Sequence, residues 1–201
     1  NLRYADAEKA LATARAAPGN SREHLLRILE LQGVVAATLN NAPRARAFFQ
    51  TLLTLDPERK LGGDLPPRVR TPFYEAKGMV SEAKPMLFVA EADGSKLEAR
   101  LSADPMSLAK KARFHVREGA GAWAVKDVPV ANGLAALDLG SGSNEWWVEL
   151  LGDADATLFS EGSEAKPFAH GSAAPAVVAK AGSEVTAPPP PAVKASGGSR
   201  T

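Results

Sequence analysis

The chain has 201 residues, enough for one or two ordinary domains, with 24 Lys plus Arg against 23 Asp plus Glu. So even a balance argues against a nucleic-acid partner, which asks for a basic stripe. The absence of cysteine removes disulfides, thiolate metal sites and thiol nucleophiles together.

The charge is unevenly spread. Residues 1–82 carry 12 basic and 9 acidic side chains, residues 83–165 carry 8 and 13, and residues 166–201 carry 4 and 1. The reversal of sign marks the first two blocks as separate units. The chain opens on Asn1, which fits either a removed leader or a trimmed start. No apolar run reaches the roughly 18 residues that a membrane-spanning helix needs.

Residues 4–17 read as an Ala-rich helix with a thin stripe of Ala7, Leu11 and Ala14, stopped by Pro18-Gly19-Asn20. Ser21 is a good N-cap for a second helix running to about Leu39. Leu25, Leu29, Gln32 and Ala36 share one of its faces, with Leu26, Gly33 and Ala37 beside it. Asn40-Asn41 tolerate left-handed backbone and close the turn. Pro43 fits the first turn of a third helix, which carries Ala45, Phe49, Leu52 and Leu53 inward and ends near Pro57.

Aligned from Leu26, the stretch to Pro57 resembles one 34-residue tetratricopeptide repeat. Gly33 falls at the small position of the first helix and Ala45 where the second helix must approach it. Phe49 is the aromatic residue four positions later, and Pro57 is the terminating proline. Leu29, Gln32, Ala36 and Leu52 depart from the usual Trp, Leu, Tyr and Ala. On this resemblance, the helix at 4–17 is the second helix of a preceding, truncated repeat. The first helix lines a concave face, which here carries Arg27, Glu30, Val34 and Thr38 as expected partner contacts.

After a polar connector, Val69, Phe73 and Ala76 recur at helical spacing. Pro72 leaves two readings open. The helix starts there with Thr71 as its cap, or it starts at Pro67 and kinks. Either way it covers the open end of the hairpin stack, as terminal repeats require.

Near Glu82 the period changes from about 3.6 to 2. Met86–Ala90 is a short apolar strand, and Asp93-Gly94 is a hairpin turn signal. Leu97, Ala99 and Leu101 alternate with charged residues, as do Ala112, Phe114 and Val116. Trp123 and Val125 open another strand, and Leu134–Leu139 is the next. Trp146, Val148 and Leu150 then alternate with Trp147, Glu149 and Leu151, and a turn leads into Ala156–Ser160. About seven short strands at regular spacing predict an antiparallel sandwich. It resembles immunoglobulin- or fibronectin-type domains. The pair EWWVELLGDADATLFSEGSEAKP resembles the last hairpin of such domains in bacterial envelope proteins that also carry helical repeats. The combined likeness covers roughly residues 24–168.

From about Ala169 the composition falls to Ala, Gly, Ser, Pro, Val and Lys, with a polyproline run at Pro188–Pro191. Such a stretch is expected to be a disordered linker, either a spacer towards a membrane anchor outside this chain or a ligand for a polyproline-binding groove.

Little here assembles into catalytic chemistry. His24, His115 and His170 fall on a helix start, an exposed strand face and the tail, so no zinc set forms. Gly140-Ser141-Gly142-Ser143 leads into a strand and is a turn, not a phosphate loop. Ser160 and Ser163 have no paired base. Glu145, Glu149, Asp153 and Asp155 are read as solvated hairpin acids in preference to a calcium site. Trp147 points outward beside Glu149, either exposed as a stacking surface for a sugar or an interface, or packed under a loop or the helices.

The expected fold class is α+β. A tetratricopeptide-like helical-hairpin domain spans residues 1–82, an antiparallel β-sandwich 83–168, and a disordered linker 169–201. The expected function is a non-catalytic interaction component of a bacterial envelope complex, located in the periplasm and tethered through the linker. Its partner is another envelope protein, bound through Arg27, Glu30, Val34, Thr38 and Trp147. No nucleic acid, metal or cofactor is expected, and the membrane is reached only through a segment outside this chain. The competing reading is a carbohydrate-binding module that uses Trp147 and Trp123.

Overall fold

The computed structural model describes residues 3–139 and 144–169. Four helices, α1 (Tyr4–Ala16), α2 (Arg22–Thr38), α3 (Ala42–Leu55) and α4 (Pro67–Glu82), precede all of the strands. The strands are β1 (Phe88–Asp93), β2 (Lys96–Leu101), β3 (Lys111–Glu118), β4 (Ala124–Pro129), β5 (Leu134–Asp138), β6 (Asn144–Leu151), β7 (Thr157–Glu161) and β8 (Phe168–Ala169). They form two antiparallel sheets. One has the order β1-β2-β5. The other has the order β4-β3-β6-β7, with β8 also paired to β6.

Local chemistry sets the helix ends. The Ser21 side chain accepts from the His24 N–H at 3.3 Å, and Asn41 Oδ1 accepts from the Arg44 N–H at 3.2 Å. Asn40 turns the chain at φ 59, in the left-handed region anticipated for the Asn-Asn pair. Of the two starts left open for α4, the helix takes Pro67. Pro72 is buried inside it.

The hairpin packs closely. A Cβ on Gly33 would lie well inside van der Waals contact of three ring carbons of Phe49, so glycine is what lets α2 and α3 approach. Phe49 and Ala45 are fully buried, and Phe73 of α4 meets Phe49 edge to face with centroids 5.3 Å apart. Helix α4 thus contacts both α3 and α2. Gln32 is buried with the rest of that face, and its Oε1 has no hydrogen-bond partner.

Several strand details differ from the sequence expectation. The first strand starts at Phe88, not Met86, and its hairpin loop is Gly94-Ser95, with Gly94 at φ 55. Val125 is exposed, because β4 is an edge strand with little cover on either face. Leu151, placed outward by alternation, is buried beside Leu150, because the pairing of β6 with β7 shifts register between those two residues. Ala169, assigned to the linker, pairs with Glu145 in β8. Residues 170–201, with the polyproline run and His170, and the Gly140–Ser143 turn lie outside the described residues.

One buried cluster runs through helices and sheets alike. It joins Leu29, Phe49 and Phe73 to Phe88, Leu97, Phe114, Trp146 and Leu158. The seam is also hydrogen-bonded. The Gly19 N–H donates to Ala154 O and the Thr157 N–H to Asn20 O, both at 2.9 Å. Arg22, the first residue of α2, spans the seam as well. Its guanidinium donates to Leu158 O and, at 2.5 Å, to Leu55 O. It also lies 4.5 Å over the Phe159 ring. Burial lowers its pKa from the ordinary value.

Candidate functional site

The residues expected to line the α2 face divide into free and committed groups. Arg27 is exposed and pairs with Glu30 at 2.8 Å. Glu30 is mostly buried, and Arg59 of the α3–α4 connector donates to its Oε2 through Nε at 2.9 Å and Nη2 at 2.5 Å. Leu61 and Leu65 of the same connector pack against the core. Glu30 therefore clamps the chain's own connector. Val34 is half-buried against the core, and the Thr38 hydroxyl donates to Val34 O at 2.8 Å. Of the four, Arg27 is the most exposed, with one guanidinium nitrogen held by Glu30.

Trp147 shares the outward face of the five-stranded sheet with Glu149, as the alternation implies, but it is half-buried. His115 covers one face of its ring in a parallel stack, with centroids 3.5 Å apart and planes within 6°. Trp123 meets it edge-on at 6.5 Å, and Arg117 lies 4.5 Å over the Trp123 ring. The indole N–H groups of Trp147 and Trp123 are buried without partners. An open stacking platform for a sugar is not what this arrangement presents. The expectation that His115 lies on an exposed face is corrected likewise. Its side chain is only 12% exposed, because it fills the space between Trp147 and Glu149.

Of the four acidic residues, Asp153 is solvated as expected, its side chain 84% exposed, while Glu145, Glu149 and Asp155 are paired. Glu145 bonds Arg117, and His115 Nε2 lies 3.1 Å from Glu149 Oε2. Asp155 bonds both Lys111 and Arg113, and Arg113 also grips Asp127 with two bonds. The hydrogen bond from Arg113 holds the Asp127 carboxyl well below its usual range, and the His115 contact lowers that of Glu149. Among the described residues no group of three or more His, Cys, Asp or Glu side chains could hold a metal ion.

Sequence reasoning did not anticipate a cleft of about 350 Å³ where the helices meet the sheets. Leu53, Val80 and Met86 form its floor, with Pro57, Pro85 and Pro105 around it and Lys77, Lys84 and Glu58 at its lip. A second hollow of about 380 Å³ shares Thr54, Pro57, Glu58, Pro85 and Met86 with it and continues to Arg22, Phe159 and Ser160. On α4, Tyr74 (57%) and Met79 (51%) are among the most exposed large apolar side chains of the described residues. Tyr74 lies one turn before the cleft-lining Lys77, while Met79 lies on the side of Gln50 of α3. A clue was present in the sequence: Tyr74 follows Phe73 by about 100° around the helix, so with Phe73 buried Tyr74 falls off the inward face, its ring meeting that of Phe73 edge to face at 5.7 Å.

Among the described residues no helix is long and apolar enough to cross a membrane. Neither a protein-family model nor a curated protein matches the chain.

Proposed function

We propose that the chain is a non-catalytic protein-binding module, built from one tetratricopeptide-like hairpin docked on a β-sandwich. The observation that carries this reading is the stacking of α4 on the Gly33–Phe49 contact. That contact provides the close small-on-aromatic approach that the repeat pattern calls for. Among the described residues no helix covers the outer side of α4, and an apolar cleft lies at its foot. An exposed Tyr74 with Arg70 over its ring is the kind of pair that is enriched at interface centres.

In this reading the partner is another component of a bacterial envelope complex, and the chain works in the periplasm. The stretch after Ala169 serves as a spacer towards a membrane anchor. Support for the compartment and tether comes from the envelope-type hairpin at residues 145–167 and from the proline- and alanine-rich composition beyond it.

The test is capture of the partner by the tagged chain after cross-linking in cells that naturally produce it. Wild type should enrich a discrete protein, and Arg27→Ala should lower that enrichment. Arg27 is the better probe of the α2 face, because Glu30→Ala would also release Arg59 and the connector. Enrichment no greater than that of an unrelated tagged domain would overturn the reading.

A further inference from the structure

On α4, Arg70, Tyr74, Lys77 and Ser81 follow one another at intervals of four, three and four residues, which places them on one stripe of the helix. Lys84 follows just past the helix end, after the extended Ala83. Lys77, Ser81 and Lys84 border the apolar cleft, so the stripe runs from an exposed aromatic ring down into it. Arg70 lies 5.9 Å over the Tyr74 ring. Arg70, Lys77 and Lys84 form no ion pair among the described residues. The neighbouring Glu75 is neutralised by Arg46 at 2.9 Å. Glu58 also lines the cleft, and Glu82 follows Ser81 at the end of α4. On the outer face of the five-stranded sheet, by contrast, Lys111, Arg113 and Arg117 each meet a carboxylate of their own chain.

We propose that this stripe and cleft receive an acidic segment of the partner protein, whose Leu or Phe side chain enters the cleft while flanking carboxylates meet Arg70, Lys77 and Lys84. The proposal rests on the protein-binding reading and names the chemistry of the partner. The cleft lies at the small end of ligand cavities, which run from about 300 to 1,000 Å³, so it suits a single anchoring side chain and not a whole ligand. The unmatched cations supply charge complementarity and select for an acidic sequence around that anchor. Screening by salt follows from their exposure.

The probes are three fluorescein-labelled peptides of about twelve residues, each with a central Leu and Phe, flanked respectively by Glu and Asp, by Ser, or by Lys. Fluorescence polarisation against the full chain should show the acidic peptide binding at least about tenfold more tightly than the Ser peptide, with no binding of the Lys peptide. Affinity should fall several-fold as salt rises from about 50 to about 500 mM. Lys77→Glu combined with Lys84→Glu should weaken the acidic peptide about tenfold and let the Lys peptide bind, a gain that misfolding cannot produce. Tyr74→Ala should weaken binding, and Val125→Ala on β4 should not.

The proposal is overturned if the acidic peptide does not bind or if all three peptides bind alike. Indifference to the charge reversal also overturns it, as does sedimentation showing that a second copy of the chain occupies this face. Capture in cells that survives the Lys77→Glu, Lys84→Glu change would reject this site while leaving the protein-binding reading intact. Loss of all capture by wild type would reject both.

Discussion

Gly33 shows how one residue can decide whether two helices meet. The Phe49 ring occupies the volume that a methyl group would need. Gly33→Ala gains about 1 kcal/mol of helix propensity, but the forced repacking costs about 1–3 kcal/mol. The net expectation is lower thermal stability, with the loss recovered in part when Phe49→Leu is added. Unchanged melting of Gly33→Ala would mean that the ring moves aside freely.

Two glutamates on adjacent strands should respond to pH in opposite senses. Glu161 is 4% exposed, and burial pushes its carboxyl up from 4.5 to about 7. The folded chain therefore holds that proton more tightly than the unfolded chain, and the stability it confers is lost as pH rises from about 4.5 to about 7. Glu161→Gln should gain on wild type between pH 5 and pH 8, by on the order of 2 kcal/mol in denaturant melts. For Glu149, the His115 contact lowers the folded value. Its contribution is present above the ordinary glutamate range and fades as pH falls through the folded value. A constant difference between Glu161→Gln and wild type across that range would contradict the burial of its charge.

Among the elements, the helical half was the more legible from sequence. Ser21, Asn40, Asn41 and the burial of Leu25, Leu29, Gln32 and Ala36 follow from local rules, because caps and helical periodicity act within a few residues. The strands were legible in type but not in detail. The burial of Leu151 depends on a register shift against β7, and that of His115 on a ring across the strand pair. The role of Arg22 was hidden for the same reason. Its two acceptors, Leu55 O and Leu158 O, lie 33 and 136 residues away in sequence. Arg22→Ala removes a charged donor from both carbonyls and should cost about 2–3 kcal/mol. Hydrogen exchange should accelerate first in β7 and at the end of α3. If the loss of protection falls elsewhere, Arg22 does not join the layers.

For the whole molecule, the sequence divides at the change of period near residue 82, and the chain passes from helix to strand between Glu82 and Phe88. A single buried cluster nevertheless spans both sides of that point. Thermal unfolding of the chain should therefore be one cooperative transition, with helical and sheet signals melting together. Two resolved transitions would show that the halves are energetically independent. The expected contact site was the least legible feature. Helical spacing put Arg27, Glu30, Val34 and Thr38 near one face, but the clamp of Glu30 by Arg59 depends on how the connector folds back. The cleft under α4 is likewise assembled by bringing Leu53 of α3 against Val80 and Met86, which follow it across the α3–α4 connector.

The reading of the chain as a protein-binding module whose contact surface lies on its helices is tested most directly by site-specific photo-cross-linking in cells that naturally produce it. A benzophenone amino acid would replace Arg27, Tyr74 or Lys77 in turn, with Lys126 on β4 as the control. Adducts with one partner protein at the helical positions, strongest at Tyr74 and Lys77 and absent at Lys126, are the predicted result. Adducts confined to Lys126, or none at any position, would contradict it.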